Sequence, residues 1–171
     1  MTIELPVQDP CEICEGLAGR DARYAVIDER EHTVTVMNPW QYEVGQCLVV
    51  TRRHAGTLLD LSGDEAGEMI VAAKRVAHAL LETYAPLGIL TFQNNGVYSG
   101  QSVPHYHFHV VPRQPGSNWG IGPPQLAILE GAGRARGSTH KEEDVARRHQ
   151  RARVDVETLR RTALEIRANL P

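Results

Sequence analysis

The chain is predicted to fold as an α+β domain on a mainly antiparallel sheet. Three features of its 171 residues predict this: short runs rich in β-branched residues before position 52, one amphipathic stretch behind Ser62, and two further apolar runs after it. The length suits one sizeable core and is short for two. With 42% hydrophobic and 23% charged residues, the chain has enough apolar surface to build that core rather than stay disordered.

Residues 1–22 show no clear period and read as irregular. Arg23–Asp28 and Thr33–Met37 read as strands, joined by the polar turn Glu29–His32 and stopped by Asn38-Pro39. Gln46–Thr51 is a third, more continuous apolar run, entered through Gly45 and left through Arg52-Arg53-His54. Ser62-Gly63-Asp64-Glu65 matches a helix capping box. Behind it Met69, Ile70, Ala73, Val76, Ala77, Leu80 and Leu81 recur at three- and four-residue steps, which predicts a helix ending before Pro86. Ile89–Phe92 is a fourth strand. A polar, glycine-rich loop runs from Asn94 to Ser102, and a fifth strand from Val103 to Val111, stopped by Pro112.

Residues 114–140 are rich in Gly, Pro, Ser and Arg and read as a long loop. Lys141–Asn169 is highly charged with helical spacing. Its apolar stripe is thin: Val145, Val156, Leu159, Ala163 and Ile166. The expected organisation is a main unit over 1–115 and a loop and helical extension over 116–171 packed on the same domain.

A net charge of −3 argues against duplex nucleic acid as the main partner, which demands a basic face. No apolar run approaches the roughly 20 residues of a membrane span. The first ten residues hold two acids and no Lys or Arg, unlike a secretory signal. Three cysteines, Cys11, Cys14 and Cys47, do not make a disulfide framework, so the chain reads as cytoplasmic. Cys47 lies in an apolar run and reads as buried.

His105-Tyr106-His107-Phe108-His109-Val110-Val111 is the most informative stretch. On a strand, His105, His107 and His109 share one face, and Tyr106, Phe108 and Val110 make a core face on the other. Three imidazoles on one face are costly unless their nitrogens find partners. A solvated face, a metal site of two or three rings, and a nucleophilic site are the competing readings. For the nucleophilic reading, neutral imidazole attacks phosphorus and then leaves readily, splitting one hard displacement in two. The neighbouring loop fits it: Gly96, Gly100 and the backbone N–H groups near Gln101 and Ser102 suit phosphate oxygens. Asn94, Gln101 and Ser102 offer neutral donors, and His109 a positive one when protonated.

Gly100-Gln101-Ser102-Val103-Pro104-His105-Tyr106-His107-Phe108-His109-Val110-Val111-Pro112-Arg113 resembles the signature of the histidine triad (HIT) family. Asn38, Gly45, His54 and Asn94 fall at fitting places, so the resemblance spans residues 10 to 115. It implies a five-stranded antiparallel sheet with one main helix, commonly paired into a homodimer. It also implies hydrolysis or transfer of nucleotidyl groups at the α-phosphate of dinucleoside polyphosphates, AMP-amides or acyl-adenylates. Residue by residue, it implies His107 as nucleophile, with His109, Gln101 and Ser102 at the phosphate or leaving group. Asn94 and Gly100 fall beside the phosphate, and Asn38 at the ribose.

The chain is longer than compact members of that family. Trp119-Gly120-Ile121-Gly122-Pro123-Pro124 reads as a connecting loop or a flap over substrate. Arg147, Arg148, His149, Arg151 and Arg153 read as a solvated helical face. The resemblance further implies a structural zinc on Cys11, Cys14, His54 and His105, a Cys₂His₂ set suited to tetrahedral zinc. Two rival functions stand beside the enzyme: a non-catalytic nucleotide sensor or adaptor, and a metal-dependent hydrolase with the triad as ligands.

Overall fold

Thr33-Val34-Thr35-Val36-Met37 and Cys47-Leu48-Val49-Val50-Thr51 are dominated by β-branched and apolar side chains, and every one of these ten residues is buried. Such runs fill a sheet covered on both faces. The computed structural model, which describes residues 3–115 and 152–171, places them at the sheet's centre.

The elements, in chain order, are α1 (Glu12–Leu17), β1 (Val26–Glu29), β2 (Thr33–Met37), β3 (Trp40–Gln41), β4 (Cys47–Thr51), α2 (Gly63–Tyr84), β5 (Gly88–Gln93), β6 (His107–Arg113), β7 (Ala152–Arg153) and α3 (Val156–Ala168). Short 3₁₀ turns lie at Leu58–Asp60 and Val97–Ser99. A five-stranded sheet runs β1-β2-β4-β6-β5 with every pair antiparallel, and β3 pairs with β7 separately. The expected α+β class with one main helix and a C-terminal helix is what the chain adopts.

Strand alternation divides the core. Met37, Cys47, Val49 and Val110 face α2 and α3, packing with Met69, Ala73, Val76, Leu80, Leu159 and Ile166. Val34, Val36, Leu48 and Val50 face the other way, onto Ile13, Tyr24 and Val103 of the flanking segments. Leu48 lies opposite His109 and Val50 opposite His107, so the histidines look away from the helices.

α2 begins as expected, with Ser62 and Glu65 forming both halves of the capping box. It ends at Tyr84, with Ala85 left-handed at φ 45° before Pro86. Ile70 and Leu81 of the expected stripe are exposed; Ala72 and Ala79 take their places in the core. β1 starts at Val26, not Arg23, because the backbone and guanidinium of Arg23 are both bonded to Asp21 in a turn.

β6 runs from His107 to Arg113, later than the expected 103–111. Pro112 does not stop it. Arg113 accepts from the N–H of Leu87 on the β5 side, so the polar edge of Pro112 faces the opposite side, beyond the end of β4 at Cys47↔Val110. The N-terminal stretch, expected to be irregular, contains α1.

Most of the expected loop at 114–140 lies outside the described residues, as do Trp119–Pro124, Val145, Arg147, Arg148, His149 and Arg151. α3 packs into the main core through Leu159, Ala163 and Ile166. Among the described residues no helix is long and apolar enough to cross a membrane.

Candidate active site and metal centre

His107 and His109 enter the site from alternate positions of β6, and His105 from the turn just before it, where its N–H bonds Val103 O at 2.8 Å. All three rings are buried. Nδ1 of His107 lies 2.6 Å from the carbonyl oxygen of His105. A carbonyl only accepts, so Nδ1 carries the proton and Nε2 the lone pair.

His109 takes the opposite tautomer. Gln46 is fully buried; its Oε1 accepts from the N–H of Tyr42 at 2.8 Å, which turns its Nε2 toward His109 Nδ1 at 3.1 Å. An amide nitrogen only donates, so Nδ1 of His109 accepts and the proton sits on Nε2. The ring stacks on Phe92 at 4.2 Å and meets the His107 ring edge-on at 5.1 Å. In this arrangement His109 is a neutral donor; the expectation of a positive one concerned the protonated ring.

The loop from Asn94 to Ser102 is held from within. Gly96 and Gly100 both adopt φ 87°, and a Cβ on Gly96 would strike Ile3 and the Glu4 carbonyl. The N-terminal segment lies against this loop, with Val97 N–H donating to Glu4 O at 2.9 Å. Gln101 is buried, and its side chain bonds three backbone groups: Gly96 N–H, Gly56 O and Val103 O. The N–H groups of Ser99, Gly100 and Gln101 also donate inside the loop. Gln101, expected at the phosphate or leaving group, clamps the loop through these three bonds. Ser102 is exposed, and the Asn94 amide lies beside Gly100. Asn38 is buried, bonded through its side chain to Trp40 N–H and through its own N–H to Gln46 O.

One helical turn brings Cys11 and Cys14 to the same side of α1. Together with His54 and His105 they offer four ligand atoms, all within 4.8 Å of one another, that could hold a metal ion. His105 Nδ1 is 3.7 Å from Cys11 Sγ and 3.4 Å from Cys14 Sγ; His54 Nδ1 is 3.3 Å from Cys14 Sγ. Tetrahedral zinc with ordinary Zn–S and Zn–N lengths separates sulfur from nitrogen by about 3.6 Å. His105 Nε2 lies 2.9 Å from Thr51 O, so that nitrogen donates and Nδ1 presents its lone pair to the sulfurs. Burial holds the His105 pKa down at about 4, which keeps the ring in its ligand form. Burial, reinforced by Cys11, pushes the Cys14 thiol up to about 11.

Comparison with known proteins agrees with this geometry. Residues 21–116, more than half of the chain, match the family model described as the HIT domain. The chain belongs to the HIT domain family.

This HIT domain is 33% identical over 103 residues to "Protein hit" of Bacillus subtilis, covering 60% of the chain and 70% of that protein. It resembles a zinc-bound histidine triad family protein from Mycobacterium smegmatis with a TM-score of 0.62 and 21% identity, covering 93% of this chain and 96% of that one. It also resembles Plasmodium falciparum diadenosine triphosphate hydrolase, solved with cyclomarin A, with a TM-score of 0.63 and 15% identity, covering 86% and 76%. At those identities the two structures speak for the fold.

Sequence reading of the HIT domain located all three histidines and the whole Cys₂His₂ cluster. It did not find Gln46, Thr51 or Phe92. Gln46 had a legible signal, a lone amide in an apolar run. Thr51 meets His105 Nε2 through both its carbonyl and its hydroxyl, and Phe92 stacks its ring on His109 from β5; a Thr or Phe inside a strand run does not announce either contact.

Proposed function

We propose that this HIT protein hydrolyses or transfers nucleotidyl groups, with His107 Nε2 attacking the α-phosphorus of an adenine-type nucleotide. One observation carries the reading: the His107 Nδ1–H bond to the His105 carbonyl, which leaves the lone pair on Nε2. As the P–N bond forms, the P–O bond to the leaving group breaks and its electron pair departs with that group. The ring becomes cationic, and the carbonyl at Nδ1–H steadies that charge. Water then attacks the same phosphorus and releases a proton to solvent, the P–N bond breaks, and the electron pair returns to Nε2.

In this reading Asn38 meets the ribose, while Asn94, Gly100, Ser102 and His109 meet the phosphate and leaving group. Gln101 serves by holding the loop that presents them. Diadenosine triphosphate cleavage by the Plasmodium structural relative favours dinucleoside polyphosphates as the substrate class. A zinc held by Cys11, Cys14, His54 and His105 would be structural, since a full protein shell keeps no open position. The separate partners of the three rings favour this reading over a joint metal centre: His105 turns to the cysteines, His107 to a carbonyl and His109 to Gln46. Homodimer formation would use the outer side of β5, the sheet edge that Phe92 occupies.

Acid-quench trapping with a labelled dinucleoside polyphosphate tests the reading. The label is expected on His107 and is expected to vanish, with turnover, in His107→Ala. Unchanged turnover in that variant, or a label on another residue, would overturn it.

A further inference from the structure

We propose that Gln46 is a positioning residue that locks His109 as a neutral hydrogen-bond donor, and thereby suits the site to leaving groups that depart as anions. The inference deepens the reading of His107 as the attacking group and rests on it.

Phe92, His107 and Gln46 all bear on the His109 ring. Phe92 stacks on its face from β5, His107 meets its edge from the same strand, and the amide of Gln46 approaches Nδ1 from just before β4. The amide cannot rotate to reverse its polarity. Tyr42 N–H already donates to Oε1, and a flip would set two N–H donors against each other there and leave Oε1 facing Nδ1. Gln46 is fully buried, so water offers no substitute. A second proton at Nδ1 would point straight at the amide N–H.

The chemical consequence concerns the bond that breaks. When the P–O bond of a phosphoanhydride or acyl-phosphate breaks, the electron pair leaves on an oxygen stable as an anion and needs no proton. When a P–N bond of a phosphoramidate breaks, the amine nitrogen must gain a proton. A ring with its single proton on Nε2 can donate a hydrogen bond to either group. It cannot hand that proton over without becoming an imidazolate. Only an imidazolium could act as the acid, and Gln46 disfavours it.

Gln46→Glu reverses this with almost no change of shape: one carboxylate oxygen still accepts from Tyr42 N–H, and the other accepts from a protonated Nδ1. Gln46→Met removes the donor and adds no charge, which guards against a variant that misfolds from buried charge. The zinc-loaded proteins, with ¹⁵N-labelled imidazoles, are read by long-range ¹H–¹⁵N NMR. The wild type is expected to show His109 protonated at Nε2 alone. Gln46→Glu is expected to show both nitrogens protonated, and Gln46→Met a mixture of tautomers. The same proteins are assayed on diadenosine triphosphate and on AMP-phosphoramidate. The ratio of kcat/KM for anhydride over amidate is expected to fall about tenfold in Gln46→Glu, the difference between a neutral and a charge-assisted hydrogen bond.

A wild-type His109 protonated at Nδ1, or a tautomer signature unmoved in both variants, overturns the proposal. So does an unchanged substrate ratio in a Gln46→Glu protein that shows the imidazolium. If the wild type turns over neither substrate, the catalytic reading fails, and with it the leaving-group preference, while the NMR signature separately decides whether Gln46 sets the tautomer.

Discussion

His105 and His107 are joined by a 2.6 Å hydrogen bond in which the carbonyl of one fixes the ring of the other. The same His105 presents Nδ1 to Cys11 and Cys14 and anchors Nε2 on Thr51 O. One residue thus belongs to two sites. Its side chain joins the Cys₂His₂ set that could hold a metal, and its backbone sets the tautomer of the neighbouring imidazole.

Loss of the metal is therefore expected to reach His107. Cys14→Ser should lower bound zinc from about one per chain to near zero, measured by elemental analysis, and turnover should fall with it by about 10–100-fold, the usual cost of loosening a residue that orients a site. The melting temperature should also drop, by about 2–4 °C for each kcal/mol lost in a domain of this size. Loading should depend on pH with a defined sign. A thiol pushed up to about 11 stays protonated at neutral pH until a metal takes it, so binding releases protons and apparent affinity rises with pH. Zinc affinity flat from pH 6 to 8 would contradict this assignment of ligands.

Gln101 is expected to act on the loop and on stability. Its amide meets Gly96 N–H at 2.6 Å, Gly56 O at 2.7 Å and Val103 O at 2.9 Å. Gln101→Ala would leave the buried Gly96 N–H and Gly56 O unpaired, while Val103 O keeps the His105 N–H, at a cost of about 2–3 kcal/mol in urea unfolding. Gln101→Glu keeps the size and loses both donors, so it should cost at least as much. A Gln101→Ala protein of wild-type stability that fails only in catalysis would instead put the side chain on the substrate.

How much could be read from sequence depended on the range of the interactions involved. β2 was legible to the residue because alternation and the Asn38-Pro39 stop are local, and the start of α2 because its capping box is written in four consecutive residues. β6 was placed too early because strand alternation alone cannot tell that His105 turns aside to the cysteines. α1 is six residues long, too short to show a helical period, and its placement follows from Cys11 and Cys14 meeting His54 and His105. β3 escaped notice because Trp40 and Gln41 pair with Arg153 and Ala152, more than a hundred residues away, and no local pattern announces such a pairing. The chemistry-bearing residues were legible because three histidines at alternate positions are expensive to keep without purpose. Gln46 was passed over as a strand residue when it is the partner that gives His109 its tautomer.

The C-terminal helix lies beyond the stretch that matches the HIT family model, yet it is expected to be indispensable to the fold. Leu159 and Ile166 of α3 are fully buried in the same cluster as Met69, Val76 and Leu80 of α2. Arg167 donates to the carbonyls of Val26 and Ile27, covering the outer edge of β1. Leu159→Ala is expected to cost about 2–4 kcal/mol, because the truncated methyl groups leave a cavity between α2, α3 and the sheet. Arg167→Ala should cost less, about 1 kcal/mol, since its bonds lie at a partly solvated edge. A chain ending at residue 115 should lose cooperative unfolding, because one helix-facing side of the core is then open to water. Urea titration followed by circular dichroism separates the cases. A shortened chain that melts as sharply as the full one would show that α3 decorates the core rather than completing it.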